Sequence, residues 1–248
     1  MATAVKTSCP SLKHLTASVI FVDPPFGFDV ALWDAKDKVW TTKYWKAVLE
    51  SLKEVSKPGT LLVLFADPVA VLPSFMAALA SYNELAQRGS RKEWKYANQV
   101  VFNKTNYVAK SSGPYAHSVE TAFLFYYEKI PKISKLRHEL AGNYVSAAKL
   151  SSKLTLPVSE GEQPNPCQKP NLWLQLLLEN HVADDSYVMD LTAGSLSSAV
   201  ATFLVNSPIH WVGADNNPNV LANFKQLVDL LVQDSDWWIK FKNGKTFK

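Results

Sequence analysis

The sequence predicts an α/β fold built on a mostly parallel, doubly wound sheet, and three observations carry that expectation. Short apolar runs without polar alternation, at Ser18–Val22 and Thr60–Ala66, suit strands covered on both faces. Between these runs apolar residues recur at spacings of three and four, the period of a helix packed on one side. Beyond Pro170 the two kinds of segment alternate regularly, and that order winds a parallel sheet.

Taken in order, Ser18–Val22 is a strand halted by Asp23-Pro24-Pro25-Phe26-Gly27, where two prolines forbid continuing the ladder. Lys43–Ser56 carries Tyr44, Val48, Leu52 and Val55 at helical spacing, and Lys57-Pro58-Gly59 stops it. Thr60–Ala66 is the next buried strand, and residues 69–82 form a second helix in which Pro73 shifts the start or kinks the axis. Residues 94–104 and 119–129, aromatic and β-branched, read as two edge strands of a hairpin-like pair. Residues 130–168 are weakly periodic, with turn residues at Gly142, Gly161, Pro164 and Pro166, and are the place for an insertion or small subdomain. Helix Asn171–His181, strand Ser186–Asp190, helix Ser195–Asn206, strand Ile209–Gly213 and helix Asn217–Gln233 complete the order.

Composition narrows the classes. At 248 residues, 47% hydrophobic and 19% charged, the chain (1–248) reads as a single globular domain with one sizeable insertion. It holds no apolar run of the roughly 18 residues a membrane helix needs, and its first residues lack the apolar stretch of a secretory signal. A formal charge of +4 permits an anionic partner without requiring one. Cys9 and Cys167 are the only cysteines, too few for a disulfide framework or a cysteine-rich zinc site. His117, His138 and His181 lie apart without ligand spacing, so no metal is expected. The expectation is a soluble intracellular protein without a membrane partner; nucleus and cytoplasm are not distinguished.

Two predicted strand ends carry chemistry, because ligands of open parallel sheets bind outside the carboxyl ends of the strands. At the first, Asp23 and the carbonyl of Pro24 can accept hydrogen bonds from an amine, and Phe26 can stack on a flat ring. A proline-capped strand-to-loop turn accounts for the same tetrapeptide equally well. At the second, Asp190-Leu191-Thr192-Ala193-Gly194-Ser195 is an acid followed by a small-residue turn and a helix start, which offers unpaired N–H groups. Asp215, 21 residues beyond Gly194, ends the next strand, the spacing at which an acid binds ribose hydroxyls. A helix cap at Ser195 and a surface turn at Asp215-Asn216-Asn217 are the plainer alternatives.

Together these motifs resemble the S-adenosylmethionine-dependent amino-methyltransferases of nucleic acids, and more closely their permuted β class, in which the catalytic half precedes the cofactor half. Asp23-Pro24-Pro25-Phe26 is similar to the family's Asp-Pro-Pro-aromatic motif, and Trp33-Asp34 follows it as in many members. Gln99–Lys104 with Tyr115–Lys129 resembles the later strand pair, including its His-Glu pattern. Pro166-Cys167-Gln168-Lys169-Pro170 resembles the motif opening the cofactor half. Asp190–Ser198 stands where the family writes Asp-Pro-Phe-Ala-Gly-Ser-Gly-Thr-Thr, and Gly213-Ala214-Asp215 where it writes Gly-Ile-Glu. The likeness runs from about Thr16 to about Asp229. It departs at Thr192, where the family has an aromatic; at Leu196, where it has a glycine; and at Asn165, where it has a histidine.

The resemblance implies a Rossmann-like methyltransferase fold with antiparallel edge strands, and methyl transfer from S-adenosylmethionine to an exocyclic amine. Asp23 and Pro24 would accept the amine's N–H groups within the rigid Pro24-Pro25 turn, with Phe26 against the base. Asp190 would orient the cofactor loop, Thr192, Ala193, Gly194 and Ser195 would line it, and Asp215 with Asn216 would meet the ribose. Gln168, Lys169 and Pro170 would close the methionine side, with Lys169 meeting the carboxylate. An acid in the first motif position resembles adenine-modifying members, since cytosine-modifying ones more often carry serine. The permuted motif order favours DNA over RNA, and the resemblance extends to a homodimer or a heteromeric methyltransferase partner. Residues 130–168 stand where the family places target recognition, and between 130 and 153 Lys132, Lys135, Arg137, Lys149 and Lys153 face only Glu139; a solvated lysine surface is the alternative. Leu196 is expected to put a branched side chain where the cofactor lies against bare backbone. With Thr192 it motivates the competing expectation of a catalytically silent subunit that binds nucleic acid or an active partner.

Overall fold

The structure is a computed structural model that describes residues 15–29, 34–89, 92–103, 119–132, 144–145, 169–205, 207–217 and 220. Strand β1 (Ala17–Val22) is buried at every position but Ser18 and lies inside the sheet, as a continuous apolar run requires. On one side it pairs in parallel with β2 (Ser56–Phe65), and on the other with β6 (Tyr187–Asp190), which pairs in parallel with β7 (His210–Gly213). Beyond β2 come β4 (Val119–Tyr127), β3 (Trp94–Asn103) and β5 (Tyr144–Val145), giving the order β5-β3-β4-β2-β1-β6-β7. Strand β4 is antiparallel to both of its neighbours, and β3 pairs with β5 in parallel. The fold is therefore the mixed, doubly wound α/β sheet expected.

Helices cover both faces. Val19, Phe21, Leu61 and Val63 point to one side and pack under α3 (Asn171–His181), where Trp173 and Leu177 are buried, and α4 (Ser197–Leu204). Ile20, Val22, Leu62 and Leu64 alternate with them and meet Trp45 and Leu49 of α1 (Thr42–Leu52) and Phe75 of α2 (Leu72–Gln87). The strict alternation of neighbours between two cores follows from the two-residue period of a strand. Each fully buried leucine or phenylalanine contributes about 1.5–3 kcal/mol over its exposed state, so both faces need their helices.

Several elements differ from expectation. The buried face of α1 is Trp45, Leu49 and Leu52, and Tyr44 is exposed. Trp45 offers more apolar area and packs edge-on to Phe75 at 5.0 Å, which turns the helix by one residue from the predicted stripe. The helix ends at Leu52, a 3-10 turn occupies Lys53–Val55, and β2 starts at Ser56. Ser56 pairs with Ala17 and the ladder resumes at Val19 with Leu61, so Lys57–Thr60 bulge out of register. The Thr60 hydroxyl closes the bulge by donating to the Ala17 carbonyl at 2.6 Å; Pro58-Gly59 is thus a feature within a strand, not a boundary. Pro73 sits in the first turn of α2, where its missing N–H has no partner to lose, and the helix runs on to Gln87. Strands β3 and β4 occur as an antiparallel pair but are internal, each with a neighbour on both sides. Ala122–Tyr127 of β4 is buried throughout, the signature of an inner strand. Helix Asn217–Gln233, apart from Asn217 and Val220, and residues 133–168, apart from the strand Tyr144–Val145, lie outside the described residues. Among the described residues no helix is long and apolar enough to cross a membrane.

Candidate active site

Strands β1, β2, β6 and β7 all end at one rim of the sheet, and β4, being reversed, begins there. Asp23 follows the last residue of β1, Asp190 closes β6, and Glu120 is the second residue of β4. Three carboxylates from three strands are thus carried to one rim by topology alone.

The first turn is held from outside. The buried carboxylate of Asp34 accepts the backbone N–H groups of Phe26, Gly27 and Phe28 at 2.6, 2.9 and 3.0 Å. These bonds bend the chain after Pro24-Pro25 and hold Phe26 half-buried at the rim, edge-on to Phe28 at 5.9 Å. Gly27 has φ +79°, and a Cβ there would lie 2.5 Å from Val39 Cγ2, so no larger residue fits.

The second turn is held from inside. One oxygen of Asp190 accepts the Thr192 N–H at 2.9 Å and the Thr192 hydroxyl at 3.3 Å. The other accepts the Ser198 hydroxyl, which in turn accepts the indole N–H of Trp211 at 3.0 Å. Burial pushes the Asp190 carboxyl up to about 6; the hydrogen bonds from Ser198 and Thr192 oppose the rise, and the nearby Asp23 charge adds to it. Asp215 accepts the Gly194 N–H at 2.8 Å and the Asn217 N–H at 2.8 Å, which brings β7 onto the turn beside exposed Asn216. Thr192 also joins the two turns: its hydroxyl accepts the Asp23 N–H at 2.7 Å. An aromatic at this position has no atom to make that bond.

Leu196 corrects the expectation drawn from its sequence position. It adopts φ +62°, the left-handed conformation a glycine would take freely, just before α4. Its side chain is 0% exposed and packs with Ala193, Ala199, Val200 and Val220, away from the cavity between the turns. The cavity itself, about 50 Å³, is bounded by Asp23, Phe65, Lys169, Asp190, Thr192 and Ser195 among others.

Lys169 crosses this cavity. Its ammonium lies 2.6 Å from an Asp23 oxygen and 3.2 Å from a Glu120 oxygen, with the rings of Phe65 and Phe26 at 5.2 and 5.6 Å. Burial alone would push the lysine down, but Asp23 and Glu120 outweigh it and hold the group above the ordinary lysine value. It therefore remains charged.

The structure thus brings Asp23, Lys169, Asp190, Thr192, Ala193, Gly194 and Ser195 around one cavity. Pro24, Pro25 and Phe26 form the adjoining turn, Pro170 caps α3, and Gln168 lies outside the described residues. Sequence reasoning assigned no role to Asp34, Glu120, Phe65 or Ser198. Glu120 and Asp34 stand inside or beside quoted motifs, which was the available signal. Among the described residues no cluster of histidine, cysteine and acidic side chains could hold a metal.

A seven-stranded sheet of this order, with acids at the adjacent ends of β1 and β6 and a glycine turn leading into a helix, defines the class of Rossmann-like methyltransferases. Within it, the model of the N6/N4 amino-methyltransferases, described as DNA methylase, matches residues 17–226, and the chain belongs to that family of S-adenosylmethionine-dependent enzymes. Solved structures share the fold. M1.HpyAVI aligns with TM-score 0.54 and 15% identity over 86% of this chain and 88% of that one. The M1.HpyAVI complex with S-adenosylmethionine aligns with TM-score 0.51 and 16% identity, over 86% and 90%. The PvuII DNA methyltransferase, cytosine-N4-specific, reaches TM-score 0.60 at 13% identity, over 95% and 92%. No curated protein matches the sequence.

Proposed function

We propose that this chain is an active methyltransferase that modifies the exocyclic N6 amine of adenine in DNA. The observation that carries the reading is the intact Asp23-Pro24-Pro25-Phe26 turn, locked by Asp34 and joined through Thr192 to the cofactor-side loop. The acid in the first position, where cytosine-modifying relatives more often have serine, supports adenine. The silent-subunit alternative loses its main motive, because the Leu196 side chain is buried away from the cavity and Thr192 is built into the junction.

The residues suit a sulfonium in charge: Asp23 and Glu120 lie against the Lys169 ammonium, and Asp190 bounds the same cavity. A cavity of about 50 Å³ is too small for a whole S-adenosylmethionine, so side chains bounding it would move when the cofactor binds. The Gly194–Ser195 turn and the start of α4 would hold the methionine end, Asp215 the ribose, and Lys169 the carboxylate. The bound sulfonium supplies the electrophilic methyl. Asp23 and the Pro24 carbonyl would accept the N–H groups of an amine whose lone pair is otherwise delocalised into its ring, which directs that lone pair toward the methyl. Phe26 would hold the base face-on, after a duplex target is flipped from its stack. Every contribution is one of placement and electrostatics, with no covalent enzyme intermediate.

The test is incubation of the purified chain with methyl-labelled S-adenosylmethionine and double- and single-stranded DNA, followed by digestion to nucleosides and mass spectrometry. N6-methyldeoxyadenosine that disappears in Asp23→Asn is the expected result. Label found only in N4-methyldeoxycytidine overturns the adenine assignment. No label with any substrate, from a chain that binds the cofactor, revives the silent subunit.

A further inference from the structure

Phe28 lies just beyond Phe26, the ring assigned to the base, and is 50% exposed. Single exposed apolar side chains are ordinary, but the backbone beneath this one is held on every side. Asp34, itself buried, takes the Phe28 N–H on its carboxylate at 3.0 Å and the Asp29 N–H on its carbonyl at 3.1 Å. Gly27 before Phe28 has φ +79° and Asp29 after it has φ +57°. Left-handed backbone on both sides sets Phe28 at the apex of a tight bend, and that conformation is unfavourable for an aspartate. Strain kept in place by its surroundings points to a shape that is wanted for its own sake.

The rings are also ordered from the cavity outward. The Lys169 side chain, 8% exposed, lies over the half-buried ring of Phe26 at 5.6 Å, and the exposed ring of Phe28 stands against Phe26 at 5.9 Å. The planes of the two rings differ by 84°. Two perpendicular rings cannot both lie face-on to one flat base, so with Phe26 against the target, the face of Phe28 is offered to something else. Extruding a base from a duplex uncovers the face of its neighbour in the stack, and that lost stacking is part of the cost of flipping. We propose that Phe28 stacks on the neighbouring base that the target uncovers, and so lowers the cost of drawing an adenine out of the duplex. The inference rests on the reading of Phe26 and of duplex DNA given above. An aromatic face suits the task because every base has a flat face, whatever its sequence.

Duplex DNA and the same DNA denatured to single strands, each incubated with labelled S-adenosylmethionine, test this, because a single strand has no paired stack to leave. Phe28→Ala lowers kcat/KM on the duplex about tenfold, the worth of one base stacked on one aromatic ring, and leaves that on single strands within about threefold. Phe28→Tyr restores the duplex rate. Phe28→Leu keeps an apolar side chain beside Phe26 but has no flat face; it falls with Phe28→Ala and takes its place should that variant fail to fold. A second readout needs no turnover. With S-adenosylhomocysteine bound, 2-aminopurine in place of a methylated adenine brightens as it leaves the stack. Phe28→Ala reduces that rise in a paired duplex and not in one mismatched opposite the target. Equal losses on duplex and single strands would show that Phe28 only holds Phe26 in place, and would overturn the proposal. A wild-type duplex rate in Phe28→Ala or Phe28→Leu overturns it as well, and so does a wild-type chain that labels single strands alone. A wild-type chain that labels neither form of DNA fails one level earlier, at the reading of the chain as a DNA-modifying enzyme.

Discussion

The turns after β1 and after β6 solve the same problem in opposite ways. Both must expose backbone at the rim of a sheet and keep it fixed. After β1 the fixing carboxylate, Asp34, lies outside the motif and takes three N–H groups, while Asp23 at the strand end faces the cavity. After β6 the strand-end acid does the fixing itself: both oxygens of Asp190 are bonded to Thr192 and Ser198. The contrast separates a turn that presents a carboxylate from one that presents backbone. The first leaves its acid to the ammonium of Lys169; the second uses its acid as internal scaffolding and offers Gly194 and Ser195 instead.

The sharpest way to break this comparison is to neutralise the two strand-end acids. Asp23→Asn should lower kcat about a thousandfold, the scale of losing a group aimed at the reacting atoms, and leave cofactor affinity near wild type in calorimetry. Equal loss of cofactor binding would mean that Asp23 is scaffolding too. Asp34→Ala should cost about 3 kcal/mol in urea unfolding, because it leaves buried N–H groups without their charged acceptor. A loss below about 1 kcal/mol would show that the first turn holds its shape without Asp34.

Asp190 makes a pH-dependent prediction. Its carboxyl is pushed up to about 6 from an ordinary 3.8, so between those values the folded chain holds a proton that the unfolded chain has released. Its stabilising contribution is present below about pH 4 and is lost as the pH rises through about 6, a change on the order of 2–3 kcal/mol. Unfolding free energies of wild type and Asp190→Asn should therefore diverge in slope across that interval, with the variant the flatter. Parallel slopes would show that the acid is not buried as described.

Leu196→Gly sets two effects against each other. Glycine removes about 1–2 kcal/mol of left-handed strain but deletes a buried leucine worth about 2–5 kcal/mol. The net expectation is a loss of about 2 kcal/mol in chemical denaturation with cofactor affinity unchanged. A marked gain in affinity would mean that the leucine does obstruct the site. Smallest of all, Asp215→Ala should change stability by less than about 0.5 kcal/mol, being exposed. It should weaken cofactor binding about tenfold, the worth of one charge-assisted hydrogen bond.

The order of strands and helices was legible because local patterns carry it: Ser18–Val22 can be little other than a covered strand, and Asn171–His181 was placed to the residue. The two strand-end turns were legible for a related reason, since proline, glycine and acid occur there in fixed sequence. What escaped depends on contacts across the chain. The orientation of α1 turns on Trp45 meeting Phe75, a partner 30 residues away that no local period encodes. The direction of the Leu196 side chain depends on the positive φ of its backbone and on Val220, which lies beyond the next strand. Glu120 belongs to the site through the reversal of β4, a fact of sheet order.

The hydroxyl of Thr192 has one further consequence. It accepts from the backbone of Asp23 and donates to the carboxylate of Asp190, so neither turn can shift without straining its bond to the other. Ligands on either side of that hydroxyl consequently sense one another: whatever binding energy tightens the β6 turn is felt at the β1 turn, and the reverse, with equal magnitude in the two directions. In the proposed reaction a single oxygen atom would thereby link occupancy by the methyl donor to affinity for the DNA base.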